Sequence, residues 1–215
     1  MAKGEKNATV KKKDTVTDII ETLFGFSSGV FGGLYVDVVP HEVAHMAVIE
    51  ALGYDSKMHL SFVDTPLVVI IGDPNSLEHL LIHAAGPIAS GIVSIASLLA
   101  FLKLKKSLLK DFAGGLAITS SFNNVANALD LYPSNLVRDY DRMALSLEEM
   151  GYGKIGEALP VLPLAVLAYC SYNVGKHYLS AYKDYKKSKA TLQTDKSLEK
   201  VISDNVFVKD NSTQK

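Results

Sequence analysis

The run Val38-Val39-Pro40-His41-Glu42-Val43-Ala44-His45-Met46-Ala47-Val48-Ile49 decides how this chain folds and where its chemistry sits. Residues four apart lie one above the other on a helix, so His41 and His45 share a face and can reach one metal ion. Glu42, beside the first histidine, can take a proton from a water that such an ion activates. The plainer alternative is two buried histidines, each hydrogen-bonded in a helical core. The setting favours the metal: the motif lies inside Phe26–Leu52, an apolar stretch long enough to cross a bilayer. The pattern predicts a helix from about Ser28 to Leu52, ended by Gly53 and preceded by a break at Gly25–Ser28. Pro40 lacks a backbone donor and is expected to kink this helix just before His41.

Charges crowd into residues 1–22, 103–111, 138–157 and 176–215, and apolar stretches fill the intervals. Leu80–Leu102 is a second crossing-length stretch, and Phe112–Leu131 and Leu159–Gly175 are shorter or more polar candidates. The expected fold is mainly α, a multi-helix transmembrane bundle. Met58–Phe62 and Leu67–Ile71 are β-prone and flank Asp64-Thr65-Pro66, which predicts a short β-hairpin beside the helix that carries the motif. Asn75 or Ser76 is expected to cap the helix after the Gly72–Asn75 turn. A further amphipathic helix is expected at Asp141–Met150. Residues 1–13 read as a disordered N-terminal tail, 14–175 as one membrane-embedded domain and 176–215 as a charged C-terminal tail.

Composition narrows the function. A net charge of −1 gives no electrostatic argument for a nucleic-acid partner. The single cysteine, Cys170, excludes an internal disulfide framework. The first residues lack the ordered basic region, apolar core and cleavage site expected of a signal peptide.

A catalytic zinc takes three protein ligands and keeps a fourth position open for water. His41 and His45 supply two. Asp130, Asp139 and Asp141 are the acidic candidates for the third, and His79 and His83, themselves four apart, are the imidazole candidates. Asn123, Asn124, Asn127 and Asp130 fall in an otherwise apolar helix, where burying them is costly unless they find partners. A helix face against water would account for them. So would a polar face turned towards a metal and an extended substrate backbone, whose amides need partners inside a bilayer. Asp37, one turn before His41, could brace a ligand histidine or simply meet water.

At this point the chain resembles the site-2 protease family of intramembrane zinc metalloproteases. His41–His45 matches the family's His-Glu-x-x-His, Ala85-Gly86-Pro87 its intervening Ala-Gly-Pro, and Asn127…Pro133…Asp139 its late Asn…Pro…Asp segment. Tyr140 stands where that pattern has glycine. The resemblance covers roughly residues 28–143. It implies a zinc metalloendopeptidase with His41, His45 and Asp139 as metal ligands and Glu42 as general base. Asn127 would orient substrate or stabilise developing oxyanion charge. It also implies a multi-pass membrane location, Zn2+ as cofactor, a membrane protein or peptide as substrate and the lipid bilayer as surroundings. Asp130 is the reserve third ligand. Gly86 and Pro87 read as residues for close helix contact and a kink rather than chemistry.

Other readings stay open. One is a catalytically inactive relative that binds membrane partners, and another is a soluble zinc hydrolase whose apolar helices form its core. A di-iron bundle would need a second Glu-x-x-His pair, and the sequence has none. Basic residues concentrate on the side of the termini and the Lys103–Lys110 loop, which the positive-inside rule assigns to the cytoplasm. Many family members open their site to the cytoplasm, so the two criteria point to opposite orientations of the motif.

Overall fold

The computed structural model describes residues 2–59, 67–129, 131 and 138–211. In chain order the elements are α1 (Ala2–Val36), α2 (Val38–Ala51), β1 (Asp55–His59), β2 (Leu67–Ile71), α3 (Ser76–Lys103), α4 (Leu108–Ala128), α5 (Asp139–Glu149), α6 (Gly153–Ala158) and α7 (Val161–Asn211). The protein is mainly helical, with one small antiparallel sheet. Residues 1–172 form one compact unit and 173–215 a second.

The break between α1 and α2 follows from Pro40. Without an N–H, its ring cannot bond the carbonyl of Val36 four residues earlier, and it crowds that turn. The helix is interrupted at Asp37, while His41 N–H still reaches the Asp37 carbonyl at 3.2 Å. The break expected at Gly25–Ser28 is not there, because α1 runs through it. Gly25, Gly29 and Gly33, spaced four apart, serve a helix crossing instead. A Cβ on Gly29 would lie 2.0 Å from the Phe112 carbonyl oxygen of α4, and one on Gly115 would lie 2.3 Å from that of Phe26. Only glycine lets the two backbones approach this closely.

Helix α4 is the middle of the assembly. Ala113, Gly114, Gly115, Leu116, Ala117, Thr119, Ser120, Ser121, Asn124, Val125 and Ala126 are all buried along it, with α1 and α3 packed against it. Asn124 is therefore not on a water-facing side. Its amide donates to the Pro87 carbonyl of α3 at 2.9 Å.

Helix α3 opens with a capping box: Asn75 accepts from Glu78 N–H, and the Glu78 carboxylate accepts from Asn75 N–H at 2.8 Å. The cap is thus Asn75 rather than Ser76. In the hairpin, Asp55 pairs with Ile71 and Met58 with Val68, so β1 starts three residues before the expected Met58. The expected Leu60–Phe62 end of that strand lies outside the described residues. Helix α5 begins at Asp139, two residues earlier than expected.

Among the described residues, three helical stretches are long and apolar enough to cross a membrane: Thr17–Ala51, Ser76–Lys103 and Gly153–Thr191. The expected fourth, Phe112–Leu131, is not among them. Its Thr119, Ser120, Ser121 and Asn124 are buried. The outward faces of α1 and α3 are apolar, with Phe24, Phe31, Leu34, Ile88, Ile92 and Leu99 exposed.

Candidate metal centre

Three elements converge on one point. Helix α2 brings His41 and His45, α5 brings Asp139 at its first helical position, and α3 supplies the floor. His41 Nε2 lies 2.9 Å from Asp139 Oδ2, and His45 Nε2 lies 3.3 Å from Asp139 Oδ1. One ligand atom from each residue falls within 4.8 Å of the other two. These residues could hold a metal ion.

The far nitrogens are anchored. His45 Nδ1 donates to the Ile82 carbonyl at 2.6 Å, which puts its proton on Nδ1 and leaves Nε2 as a lone-pair donor. His41 Nδ1 lies 3.1 Å from Ser90 Oγ. The His45 Nε2 lone pair then faces the Asp139 carboxylate, which is favourable only with positive charge between them, from a proton or a cation. Burial alone would raise the Asp139 carboxyl. Hydrogen bonds from His41, His45 and His83 outweigh it and hold the group well below the usual carboxylate range.

Gly86 provides the second test of fit. A Cβ on this residue would stand 2.3 Å from His45 Nε2 and 2.5 Å from His41 Nε2. Ligand-to-zinc distances for histidine are about 2.0–2.1 Å. The space that glycine leaves empty, bounded by both imidazoles, is one that an ion could enter. The missing side chain lets the α2 imidazoles come close over α3, the close helix contact expected of Gly86.

The other sequence candidates separate clearly. Asp141 is exposed and pairs with Arg138 at 3.3 Å, so it is turned away from the centre. Asp130 lies outside the described residues. His83 Nδ1 reaches Asp139 Oδ1 at 3.1 Å, and its ring stacks on His79 with centroids 5.9 Å apart. Asn127 donates from Nδ2 to Asp139 Oδ2 at 3.1 Å, while its Oδ1 is buried without a hydrogen-bond partner among the described residues. The Glu42 carboxylate has His41, His45 and Asp139 as its titratable neighbours and the backbone of Val68 in β2 beside it. Asp37 is 2 % exposed, not solvated, and accepts from Asn123 Nδ2 at 3.3 Å.

Ser90 is the residue that sequence reading passed over. The signal was the i, i+4, i+8 row Gly86, Ser90, Ser94, a stripe of small residues on one face of an otherwise bulky helix. Compared with family models, curated proteins and solved structures, the chain matches none.

Proposed function

We propose that the chain is an intramembrane zinc metalloprotease of the site-2 protease type, hydrolysing peptide bonds of membrane-associated substrates. One observation carries the reading: two histidines of a membrane-length helix and a carboxylate 98 residues away from the first of them meet beside a glutamate. Two imidazoles and one carboxylate form a ligand set that suits zinc. When bound, zinc would supply a Lewis acid for the scissile carbonyl and lower the pKa of a water molecule. Glu42 would accept the proton of that water and return it to the leaving amine. Asn127 would hold the Asp139 carboxylate with its amide N–H and offer its unpartnered Oδ1 to a substrate amide. Strand β2, whose backbone at Val68 runs beside Glu42, would pair an extended substrate as an added strand. The apolar outer faces of α1 and α3 support a bilayer setting for a multi-pass protein.

Metal analysis and a cleavage assay on detergent-purified protein test the proposal. Wild type and Glu42→Gln are expected to carry one zinc per chain, and His45→Ala and Asp139→Ala almost none. A transmembrane peptide in vesicles should be cut by wild type only. Equal zinc in all four proteins, or undiminished cleavage by Glu42→Gln, would defeat it.

A second reading rests on His83. An imidazole 3.1 Å from the Asp139 carboxylate stands near enough to become a fourth ligand, which would close the centre and make it structural. The chain would then be a non-catalytic, membrane-embedded binding protein.

A further inference from the structure

Buried hydroxyls on helices usually turn back to the carbonyl four residues earlier. Ser94, Thr119, Ser121 and Ser146 do so here, at 2.7–3.1 Å. Ser90 does not. It is 1 % exposed, and its Oγ faces His41 Nδ1 at 3.1 Å. If His41 binds a metal through Nε2, its Nδ1 carries the proton and donates it to Ser90. The Ser90 hydroxyl then has its own proton to place. On that side stands the Asp37 carboxyl, with Ser90 and Ser120 as neighbours. Its Oδ1 is buried and makes no hydrogen bond of ordinary length among the described residues. Its other oxygen is held by Asn123.

A buried carboxyl within a membrane-length helix is costly to keep. Asp37 sits at the N-terminal boundary of α2, where such residues often cap, yet its side chain makes no capping bond. Its side chain is held instead by Asn123 of α4, with Ser90 of α3 beside it.

We infer that Asp37 and Ser90 form a positioning relay for the metal centre, Asp37 accepting from Ser90 and Ser90 accepting from His41 Nδ1–H. The relay fixes the His41 ring plane and keeps its Nε2 lone pair aimed at the ion. His45 receives the same service from the Ile82 carbonyl, so each ligand histidine is held from behind by a different device. Neither Asp37 nor Ser90 touches the ion or the substrate. This inference rests on the metal reading proposed above.

The test is zinc affinity by chelator competition, with the visible spectrum of the cobalt-substituted protein as second readout. Ser90→Ala should weaken zinc binding about ten- to hundredfold, the usual cost of removing a partner behind a ligand. Ser90→Thr, which keeps the hydroxyl, should restore it. Asp37→Asn should weaken binding too, and the double variant should be no weaker than Ser90→Ala, because Asp37 acts through Ser90. The cobalt bands should shift in Ser90→Ala and Asp37→Asn and stay in place in Ser90→Thr. Wild-type affinity in Ser90→Ala, no rescue by threonine, or additive losses in the double variant would overturn the relay. Wild-type protein that binds no metal would defeat the metal reading itself, a distinguishable result. If Asp37→Asn fails to accumulate, the Ser90→Ala and Ser90→Thr pair decides.

Discussion

Replacing Gly86 by alanine adds one methyl group and keeps His41, His45 and Asp139 themselves unaltered. Its Cβ would stand 2.3 Å from His45 Nε2 and 2.5 Å from His41 Nε2. Ordinary contacts of carbon are about 3.5–4.0 Å, so each ring must retreat by about 1 Å or more. Metal sites tolerate deviations of about 0.2 Å in ligand distance. The displacement exceeds that several-fold for both imidazoles at once. Zinc affinity is expected to fall at least a hundredfold, equivalent to about 2.8 kcal/mol.

Gly91→Ala is the matched control on the same helix. Its Cβ would meet only Asn124 Nδ2, at 3.9 Å. In a helix interior alanine is favoured over glycine by up to about 1 kcal/mol, so this variant should be neutral or slightly stabilised. Chelator competition and metal content measure both proteins, and circular dichroism shows whether each is folded. A folded Gly86→Ala protein binding zinc within about threefold of wild type would refute the assignment of that space to an ion.

Asp139→Ala should lose zinc, whereas Asp141→Ala should keep it, since the Asp141 side chain is exposed and pairs with Arg138; elemental analysis of both decides. His83→Ala should weaken zinc about tenfold if His83 only steadies Asp139. A loss beyond a hundredfold would instead mark it as a fourth ligand. Gly29→Ala drives a methyl into the Phe112 carbonyl and should cost about 1–3 kcal/mol in a thermal melt, while Gly175→Ala, with nothing within 4 Å, should not. Burial, with the Asp139 charge adding to it, pushes the Tyr140 hydroxyl up to about 12. Because the folded chain holds this proton more tightly, its contribution is complete below about pH 10. It is lost as pH rises towards 12, on the order of 2–3 kcal/mol. The ultraviolet titration of wild type minus Tyr140→Phe should show one late tyrosine, and a difference midpoint near 10 would contradict its burial.

The helical character, the hairpin and the His41–His45 pair were legible because each is a local pattern: a period, a turn, a four-residue spacing. What the sequence hid was long-range. Gly25 to Ser28 reads as a break, since glycine weakens an isolated helix, and Gly29 and Gly33 carry no signal of their own in the helix that follows. Their use appears only when α4 supplies the backbone that needs the room. Tyr140 looked unfit beside a ligand because a loop turn there would call for glycine. With α5 starting at Asp139, the next residue takes ordinary helical geometry and any side chain serves. Gly86 was taken for a packing residue, and no periodicity could reveal that two imidazoles from another helix lie over it. Which of Asp139 and Asp141 turns towards the histidines likewise depends on where α5 begins, a boundary that sequence patterns place only to within a few residues.

His41 and Asp139 are 98 residues apart along the chain, and they belong to elements that share no strand or helix. An ion gripped between them would act as a clasp, closing a long loop whose entropy of closure grows only slowly with its length. Extracting it would remove one tie on the N-terminus of α5 and leave the Asn127 and His83 hydrogen bonds to Asp139 as the others. The ion would be a fastening for the tertiary structure before it is a reagent.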